Sequence, residues 1–316
     1  MRLSSCGFLA YANLPLGERS STRNWAPVFL GSLLAAGVLG QCNHASATTV
    51  PAIAAGTYYL THSTNWGGYA DVVSSGSSDT FTAVSGQWTV PTVQEPPGTS
   101  SGAYSAFWVG LDGFNSNTVE QTGVEAQISG GTATYYAWYE MYPASEVEVF
   151  TVSPGDTISA SVTYDGTRAS RRGTLSAFTL AITDMTSGQS SSITQSLLGT
   201  YARTSAEWIA EAPTIQYYNG TQSLSTLADF GSVTFTNASA TLAGSISGLP
   251  STASVNSIEM VKQNSAPNYI PLAIPSALSN SGSTFTVTYV PEPTSLALLL
   301  LSITAIPLLR RRKSSR

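Results

Sequence analysis

The sequence contains few of the residues that form disulfides, thiol nucleophiles and histidine-based sites. Among 316 residues there are two cysteines, Cys6 and Cys42, and two histidines. Because both cysteines lie in the first 47 residues, the rest of the chain can form neither a disulfide nor a thiol nucleophile. His62 is the single histidine after residue 47, which argues against a Ser-His-Asp triad and a histidine-based metal site. Any hydrolytic chemistry must therefore use other side chains.

Basic residues are also scarce. Between residues 48 and 290, five basic residues stand against sixteen carboxylates, a net charge of −11. Such a surface repels nucleic acid and anionic membrane, and its self-repulsion falls as carboxylates are protonated. The composition therefore predicts no nucleic-acid partner and suits an acidic medium. No Asp-x-Asp-x-Asp-Gly calcium loop occurs in the sequence, and we expect neither a metal nor a cofactor.

Helical periodicity is absent between the two ends of the chain. Residues 66–290 contain short runs rich in Val, Thr, Tyr, Phe and Trp, separated by clusters of Gly, Ser, Asn and Pro. This spacing predicts an all-β fold in which two antiparallel sheets pack face to face as a β-sandwich. Residues 205–211 fit a short helix on propensity, but Trp208 and Ile209 suit a pleated, half-buried surface, so we assign a strand.

Residues 1–47 have the features of an export signal. An apolar run at residues 25–40 follows basic residues and precedes Ala45-Ser46-Ala47, a small-x-small pattern typical of a signal peptidase site. A lipoprotein signal is an alternative that would modify Cys42. Gln41 argues against it, because a small residue is required before the modified cysteine.

The C-terminal residues 291–316 have the order of a sorting signal. A Pro-Glu-Pro triplet is followed by an apolar segment at residues 296–309 and a basic tail. This order resembles the PEP-CTERM signal of Gram-negative bacteria, and an ordinary C-terminal membrane anchor is the alternative. Between the two ends we expect a flexible lead-in at residues 48–64 and one folded domain at residues 65–290.

A carboxyl group and an amide can together hydrolyse a peptide bond. The carboxylate takes a proton from water and later returns it to the leaving amine, while the amide donates hydrogen bonds to the oxyanion. Glu211, in Ala206-Glu207-Trp208-Ile209-Ala210-Glu211, and Gln121, in Val119-Glu120-Gln121-Thr122-Gly123, offer these groups. Taken singly, each also has an ordinary interpretation, as an exposed strand carboxylate and as a sheet-edge glutamine before a turn glycine.

Five segments in order resemble the glutamic peptidases, the eqolisin or G1 family of acid proteases. They are Asn65-Trp66-Gly67-Gly68, Phe107-Trp108-Val109-Gly110-Leu111-Asp112-Gly113, Ala137-Trp138-Tyr139-Glu140-Met141-Tyr142-Pro143 and the two segments above. The resemblance implies a cofactor-independent acid endopeptidase on a β-sandwich of the concanavalin A-like or jelly-roll type. It also implies that Glu211 is the general base and later acid, and that Gln121 holds the water and the oxyanion.

The resemblance further implies a set of substrate-binding residues around this pair. They are Trp66, Trp108, Asp112, Glu125, Glu140 and Tyr142. Core packing would explain Trp108 equally well, and a turn would explain Asp112. Tyr136 and Ala212 stand where the family often has aspartate, so we expect fewer carboxylates around Glu211 and its ionisation at somewhat lower pH.

A non-catalytic module is the rival interpretation. Two-sheet sandwiches with exposed Trp and Tyr also bind polysaccharide or protein in a cell envelope. The presence of both Gln121 and Glu211 favours the enzyme. The expected partners are a polypeptide substrate, signal peptidase and an exosortase-type processing enzyme, with transient membrane anchoring through the C-terminal segment. The expected location is the envelope, surface or medium of a Gram-negative-type bacterium.

Overall fold

The structure, a computed structural model, describes residues 2–4, 48–49, 58–99, 102–217, 219–242, 245–248, 254–263 and 269–292. The apolar run of the predicted export signal lies outside these residues, as does the chain beyond residue 292, so both targeting predictions stay predictions. Within the described part of the chain, no helix has the length and apolar character needed to cross a membrane.

The regular secondary structure of the described residues is almost entirely β-strand, as predicted. Among the described residues, the one helical element is a 3-10 turn at Asn280–Gly282. In chain order the strands are β1 Arg2–Ser4, β2 Thr48–Thr49, β3 Tyr58–Ser63, β4 Trp66–Val72, β5 Phe81–Thr89, β6 Ala103–Leu111, β7 Val119–Ser129, β8 Thr132–Tyr142, β9 Val147–Thr151, β10 Thr157–Ser170, β11 Gly173–Asp184, β12 Ser190–Leu198, β13 Ser205–Glu211, β14 Thr214–Gln216, β15 Gln222–Leu224, β16 Ser232–Leu242, β17 Ser245–Gly248, β18 Ser254–Gln263, β19 Tyr269–Pro275 and β20 Phe285–Tyr289.

The strands pair in two main antiparallel series. The first runs β9-β8-β7-β6-β13-β4-β18, and the second runs β12-β11-β10-β5-β16. Strand β16 connects the two series. Its second half pairs with β5, and its first half pairs with β20, which is joined through β19 to β18 of the first series. The register shifts between Thr236 and Ser239, where Asn237 has a φ of 52°. Such a bulge lets one strand change partners.

Alternation along the strands of the first series creates two buried clusters. One cluster joins the two series and contains Phe107 and Trp208 with Phe178 of β11. The other lies on the opposite face of the first series and contains Trp66, Trp108 and Trp138. Phe107 and Trp108 fall in different clusters because successive side chains of a strand point to opposite faces. We call the face that carries these three tryptophans the Trp face.

Two local predictions have clear outcomes. Residues 205–211 form strand β13, as predicted, and all seven are buried. The flexible lead-in predicted at residues 48–64 is wrong for its last part, because Tyr58–Ser63 forms β3, parallel to β18. Thr61 is only 2% exposed and donates a hydrogen bond to Asn256 of β18. This pairing satisfies backbone groups that β18 would otherwise leave open at a sheet edge.

Candidate active site

Strand register places Gln121 and Glu211 on the same side of the first series. Gln121 of β7 pairs with Gly110 of β6, and Glu211 of β13 pairs with Ala106 on the other side of β6. Because Gly110 and Ala106 are four residues apart, both side chains project from the Trp face. One strand lies between their backbones, with an offset of about 13 Å along the strand at 3.3 Å per residue.

The carboxylate of Glu211 is held by two donors. Trp108 Nε1 donates to Oε2 at 2.7 Å, and Asn65 Nδ2 donates to Oε1 at 3.2 Å. Ser63 Oγ in turn donates to Asn65 Oδ1 at 3.0 Å, which turns the NH₂ group of that amide toward Glu211. Glu211 is fully buried. Hydrogen bonds to an ionised carboxylate favour that form and fix its orientation, as a general base requires.

The amide of Gln121 keeps part of its hydrogen-bonding capacity open. Its Nε2 donates to Glu140 Oε2 at 2.6 Å, while its Oε1 has no hydrogen-bond partner among the residues that the structure describes. A side-chain amide has two N–H donors and one carbonyl acceptor, so one donor and the acceptor remain for a ligand. A Cβ at Gly110 would lie 3.1 Å from Gln121 Cβ, and the glycine therefore leaves room beside the amide.

Tyr142 connects the surroundings of the two groups electrostatically. Burial raises the pKa of Tyr142, and the charges of Glu140 and Glu211 raise it further. Since Glu140 is hydrogen-bonded to Gln121, one phenol is within electrostatic reach of both halves of the predicted pair. Tyr142 of β8 pairs with Val119 of β7, so its side chain projects from the Trp face.

Trp66 and Trp108 form an aromatic floor next to Glu211. Their rings meet edge to face at 4.9 Å between centroids, and Trp66 lies opposite Glu211 on β4. Both are fully buried. Gly123 is opposite Trp108, and a Cβ there would lie 2.5 Å from Trp108 Cβ. Trp108 is therefore a core aromatic and a donor to Glu211 at once, so the two interpretations of this residue are compatible.

Comparison with known proteins decides the family. Residues 64–289 match the family model described as Peptidase A4 family. The chain belongs to the Peptidase A4 family. It is 36% identical over 256 residues to Aspergillopepsin-2 of Aspergillus niger, covering 74% of this chain and 80% of that protein. It is also 36% identical over 152 residues to Scytalidopepsin B of Scytalidium lignicola, covering 46% and 51%.

The structure of this A4 peptidase matches a solved relative. A crystal structure of scytalido-glutamic peptidase with a peptide-based transition state analog superposes with a TM-score of 0.57 and 30% identity, covering 72% of this chain and 98% of that chain. The chain is therefore a glutamic-type endopeptidase, a hydrolase that acts on polypeptides. A non-catalytic binding module is not favoured.

The structure does not place Asp112 and Ala212 as the sequence predicted. Asp112 has other hydrogen-bond partners, and Ala212 lies on the other face of the sheet. Asp112 has a φ of 66°, and its carboxylate accepts hydrogen bonds from the backbone of Arg203 at 2.8 Å and Thr204 at 3.0 Å. These contacts agree with the turn interpretation. Ala212 packs in the cluster between the two series, on the face opposite Glu211. The expectation that an aspartate at 212 would adjoin the carboxyl of Glu211 is therefore wrong.

Tyr136 does lie on the Trp face, opposite Glu125. Burial, followed by the charges of Glu146 and Glu211, raises the pKa of Glu125 well above its ordinary value. Sequence reasoning gave Asn65 no role of its own, although it precedes Trp66 directly. It did not single out Glu146 at all, because this residue reaches the Trp face from the connection between β8 and β9 and no motif marks it.

Three further buried carboxyl groups lie within electrostatic reach of one another near the C-terminal end of β6. Glu120, Glu207 and Asp112 are all fully buried. Burial is the main cause that raises the pKa of Glu120 and Glu207 well above the ordinary value, and the charge of Asp112 raises both further. Burial also raises the pKa of Asp112, although the amides of Arg203 and Thr204 oppose the shift. Burial therefore favours the neutral form of these carboxyls.

Proposed function

We propose that this peptidase cleaves peptide bonds in acid with Glu211 as the general base and Gln121 as a hydrogen-bond donor to the scissile carbonyl. The observation that carries this proposal is the anchoring of Glu211 by Trp108 and Asn65. A general base needs a fixed carboxylate that can carry charge, and these two donors fix Glu211 and offset part of the cost of charging it. Gln121 projects from the same face with an open carbonyl oxygen.

The proposed reaction has two proton transfers. Glu211 takes a proton from water while the water oxygen attacks the scissile carbonyl carbon, and the developing oxyanion accepts a hydrogen bond from Gln121 Nε2. Glu211 then gives the proton to the amide nitrogen as the C–N bond breaks. Gln121 does not titrate, so the pH dependence arises from Glu211 and its carboxyl neighbours. No metal or other cofactor takes part in these steps.

We assign substrate contact to residues on the Trp face near this pair. They are Trp66, Trp108, Glu125, Glu140 and Tyr142. Asp112 was predicted for the same role, but its bonds to Arg203 and Thr204 favour a part in holding the end of β6 against the segment before β13.

The architecture and location belong to the same proposal. The two series of strands form the two layers of a β-sandwich, which is supported by a core cluster that takes side chains from both. The folded domain spans residues 65–290 together with β3. The sequence features of residues 1–47 and 291–316 support an exported protein that is processed by signal peptidase and sorted through a PEP-CTERM-type tail to a bacterial envelope or surface.

A hydrolysis assay tests the proposal. The purified protein is incubated with denatured protein between pH of about 3 and about 7, with a metal chelator and pepstatin present, beside Glu211→Gln. We expect acid-dependent cleavage that resists both inhibitors and is absent from the variant. Absence of cleavage at every pH, or cleavage by the folded variant at the wild-type rate, would contradict the proposal.

A further inference from the structure

A second polar group adjoins Glu211 on the Trp face. Glu125 of β7 pairs with Ala106 of β6, and Ala106 pairs with Glu211 on its other side. Tyr136 of β8 lies opposite Glu125. Tyr136, Glu125 and Glu211 therefore stand in one row across the strands, with only the small Ala106 between the two carboxyl groups. About 10 Å, two strand spacings, separates the backbones of Glu125 and Glu211.

Hydrogen bonds around Glu125 define a small polar corner. Tyr136 Oη donates to Glu146 Oε1 at 2.8 Å and accepts from Gln127 Nε2 at 2.9 Å. Neither bond involves Glu125, which is 1% exposed and whose two oxygens have no hydrogen-bond partner in the described part of the chain. We call Glu125, Gln127, Tyr136 and Glu146 the Glu125 subsite. It has unused acceptors, and a buried polar group without a partner is costly.

The charges facing the subsite are all acidic. Burial raises the pKa of Glu146 to about 7; the bond from Tyr136 lowers it and the charge of Glu148 on β9 raises it. The charges of Glu146 and Glu211 add to burial in raising the pKa of Glu125. From β6, Tyr104 faces the same charge, because Glu125 contributes to its raised pKa. What these groups lack is a cation.

The protein does not supply that cation from its described side chains. Among the described residues, the two ion pairs join His62 to Glu259 and Lys262 to Glu292. Neither pair involves the Glu125 subsite. A positive charge at the subsite would therefore come from a ligand. A peptide bound at Glu211 would place a neighbouring side chain over the same row of the Trp face.

We propose that the Glu125 subsite binds a cationic side chain, lysine or arginine, of the polypeptide substrate. This inference rests on the proposed function, since it assumes a peptide at Glu211. The cation would donate hydrogen bonds to the carboxylates of Glu125 and Glu146, and Tyr136 would hold Glu146 in place. In acid both carboxyls carry protons that the cation must displace, so the preference strengthens as pH rises toward the pKa of Glu146.

Paired peptides test this inference. In each position on either side of the scissile bond, lysine is compared with norleucine, which has a similar chain without the charge, and kcat/KM is measured. We expect one position at which lysine is favoured about tenfold, with a ratio that grows between pH of about 4 and about 6. Glu146→Gln and Glu125→Gln should each bring that ratio toward one.

Glu148→Gln is the matched control. Glu148 is exposed on β9, two residues from Glu146, so this variant should keep the activity and the lysine preference. Because the charge of Glu148 raises the pKa of Glu146, its loss should only move the pH dependence of that preference toward lower pH. Tyr136→Phe should weaken the preference, since Glu146 loses the group that positions it. Calorimetric binding of the same peptides to Glu211→Gln should reproduce the lysine ratio without hydrolysis.

The outcomes separate the two proposals. Cleavage of all peptides with no position that favours lysine, or with an unchanged ratio in Glu146→Gln and Glu125→Gln, overturns the subsite and leaves the Gln121 and Glu211 chemistry standing. A wild-type protein that cleaves no peptide, or a Glu211→Gln variant that cleaves them all, overturns the proposed function and the subsite with it.

Discussion

Trp108 and Glu211 meet through one short hydrogen bond, from the indole Nε1 to Oε2 over 2.7 Å. Trp108 is on β6 and Glu211 is on β13, and both are fully buried. The bond joins the core of the Trp face to the proposed catalytic base. Because Asn65 donates to the other oxygen, the carboxylate has little freedom to rotate.

Trp108→Phe should move the acid limb of the pH profile upward. The variant keeps an aromatic ring in the cluster but removes the donor that favours ionised Glu211, so more of the base is protonated at a given low pH. The maximum of kcat/KM should fall about 10- to 100-fold, the value of a charged hydrogen bond. Trp138→Phe loses the same N–H from the same cluster, and an equal shift there would contradict this explanation.

Asn65→Asp should give a larger shift in the same direction. It replaces a donor 3.2 Å from Glu211 by a carboxyl of the same shape, and like charges at that distance disfavour each other's ionisation. We expect the midpoint of the acid limb of kcat/KM to move to higher pH by about one unit or more. Ser63→Ala, which only frees the Asn65 amide to turn, should show a smaller upward shift. A downward move in either variant counts against the anchoring role.

Stability should be highest in acid. Burial raises the pKa of Glu120, Glu207 and Glu125 above the unfolded-state value of about 4.3. At a pH below about 4.3, these carboxyls are protonated in both the folded and the unfolded state, so their burial does not make stability depend on pH. As pH rises, the unfolded chain releases protons that the folded protein retains, so the free energy of unfolding falls. Thermal unfolding followed from pH of about 4 to about 7 should show a falling Tm.

Glu120→Gln checks the cause of that pH dependence. The amide is neutral at every pH and replaces a carboxyl that the fold keeps protonated, so the loss of Tm between acid and neutral pH should shrink. Glu95→Gln, at a half-buried position, is the control and should change this loss much less. A Tm that rises from acid to neutral pH in the wild-type protein would contradict the upward direction of these pKa shifts.

Gly123→Ala should destabilise the Trp face. The new Cβ would clash with the carbonyl oxygen of Phe107 and lie 2.5 Å from Trp108 Cβ, which requires β6 and β7 to separate. We expect the free energy of unfolding to fall by about 2 kcal/mol or more, which would be seen as a lower Tm. Activity should also fall, because Trp108 shifts. Gly130→Asn, in the turn after β7 with open space around it and a φ of 58° that asparagine tolerates, is the control and should retain both.

Strand positions were predictable where alternation or residue type is unambiguous. Residues 205–211 could be assigned to a strand because Trp208 and Ile209 fill opposite faces of a pleat, and the structure places them in different clusters. Strand β3 was not predictable, since Thr61 and Ser63 are small polar residues whose burial depends on β18, almost 200 positions away. The local sequence around β3 therefore does not predict its pairing with β18.

The candidate site was predictable in part for a similar reason. The segments around Gln121 and Glu211 could be recognised from sequence, whereas the side of the sheet on which a neighbour falls depends on strand parity. Ala212 adjoins Glu211 in sequence yet packs in the opposite cluster. Glu146 is remote from Glu125 in sequence yet close enough for its charge to raise the pKa of that residue.

The most direct test compares two glutamates of β13. Glu211 and Glu207 are both fully buried, and both project from the Trp face. With one peptide substrate in acid, Glu211→Gln should lower kcat/KM by about 10⁴-fold, the upper range for general acid–base catalysis. Glu207→Gln should stay within about tenfold of wild type, because an amide replaces an already neutral carboxyl. Wild-type turnover by folded Glu211→Gln, or equal losses in the two variants, would contradict the account.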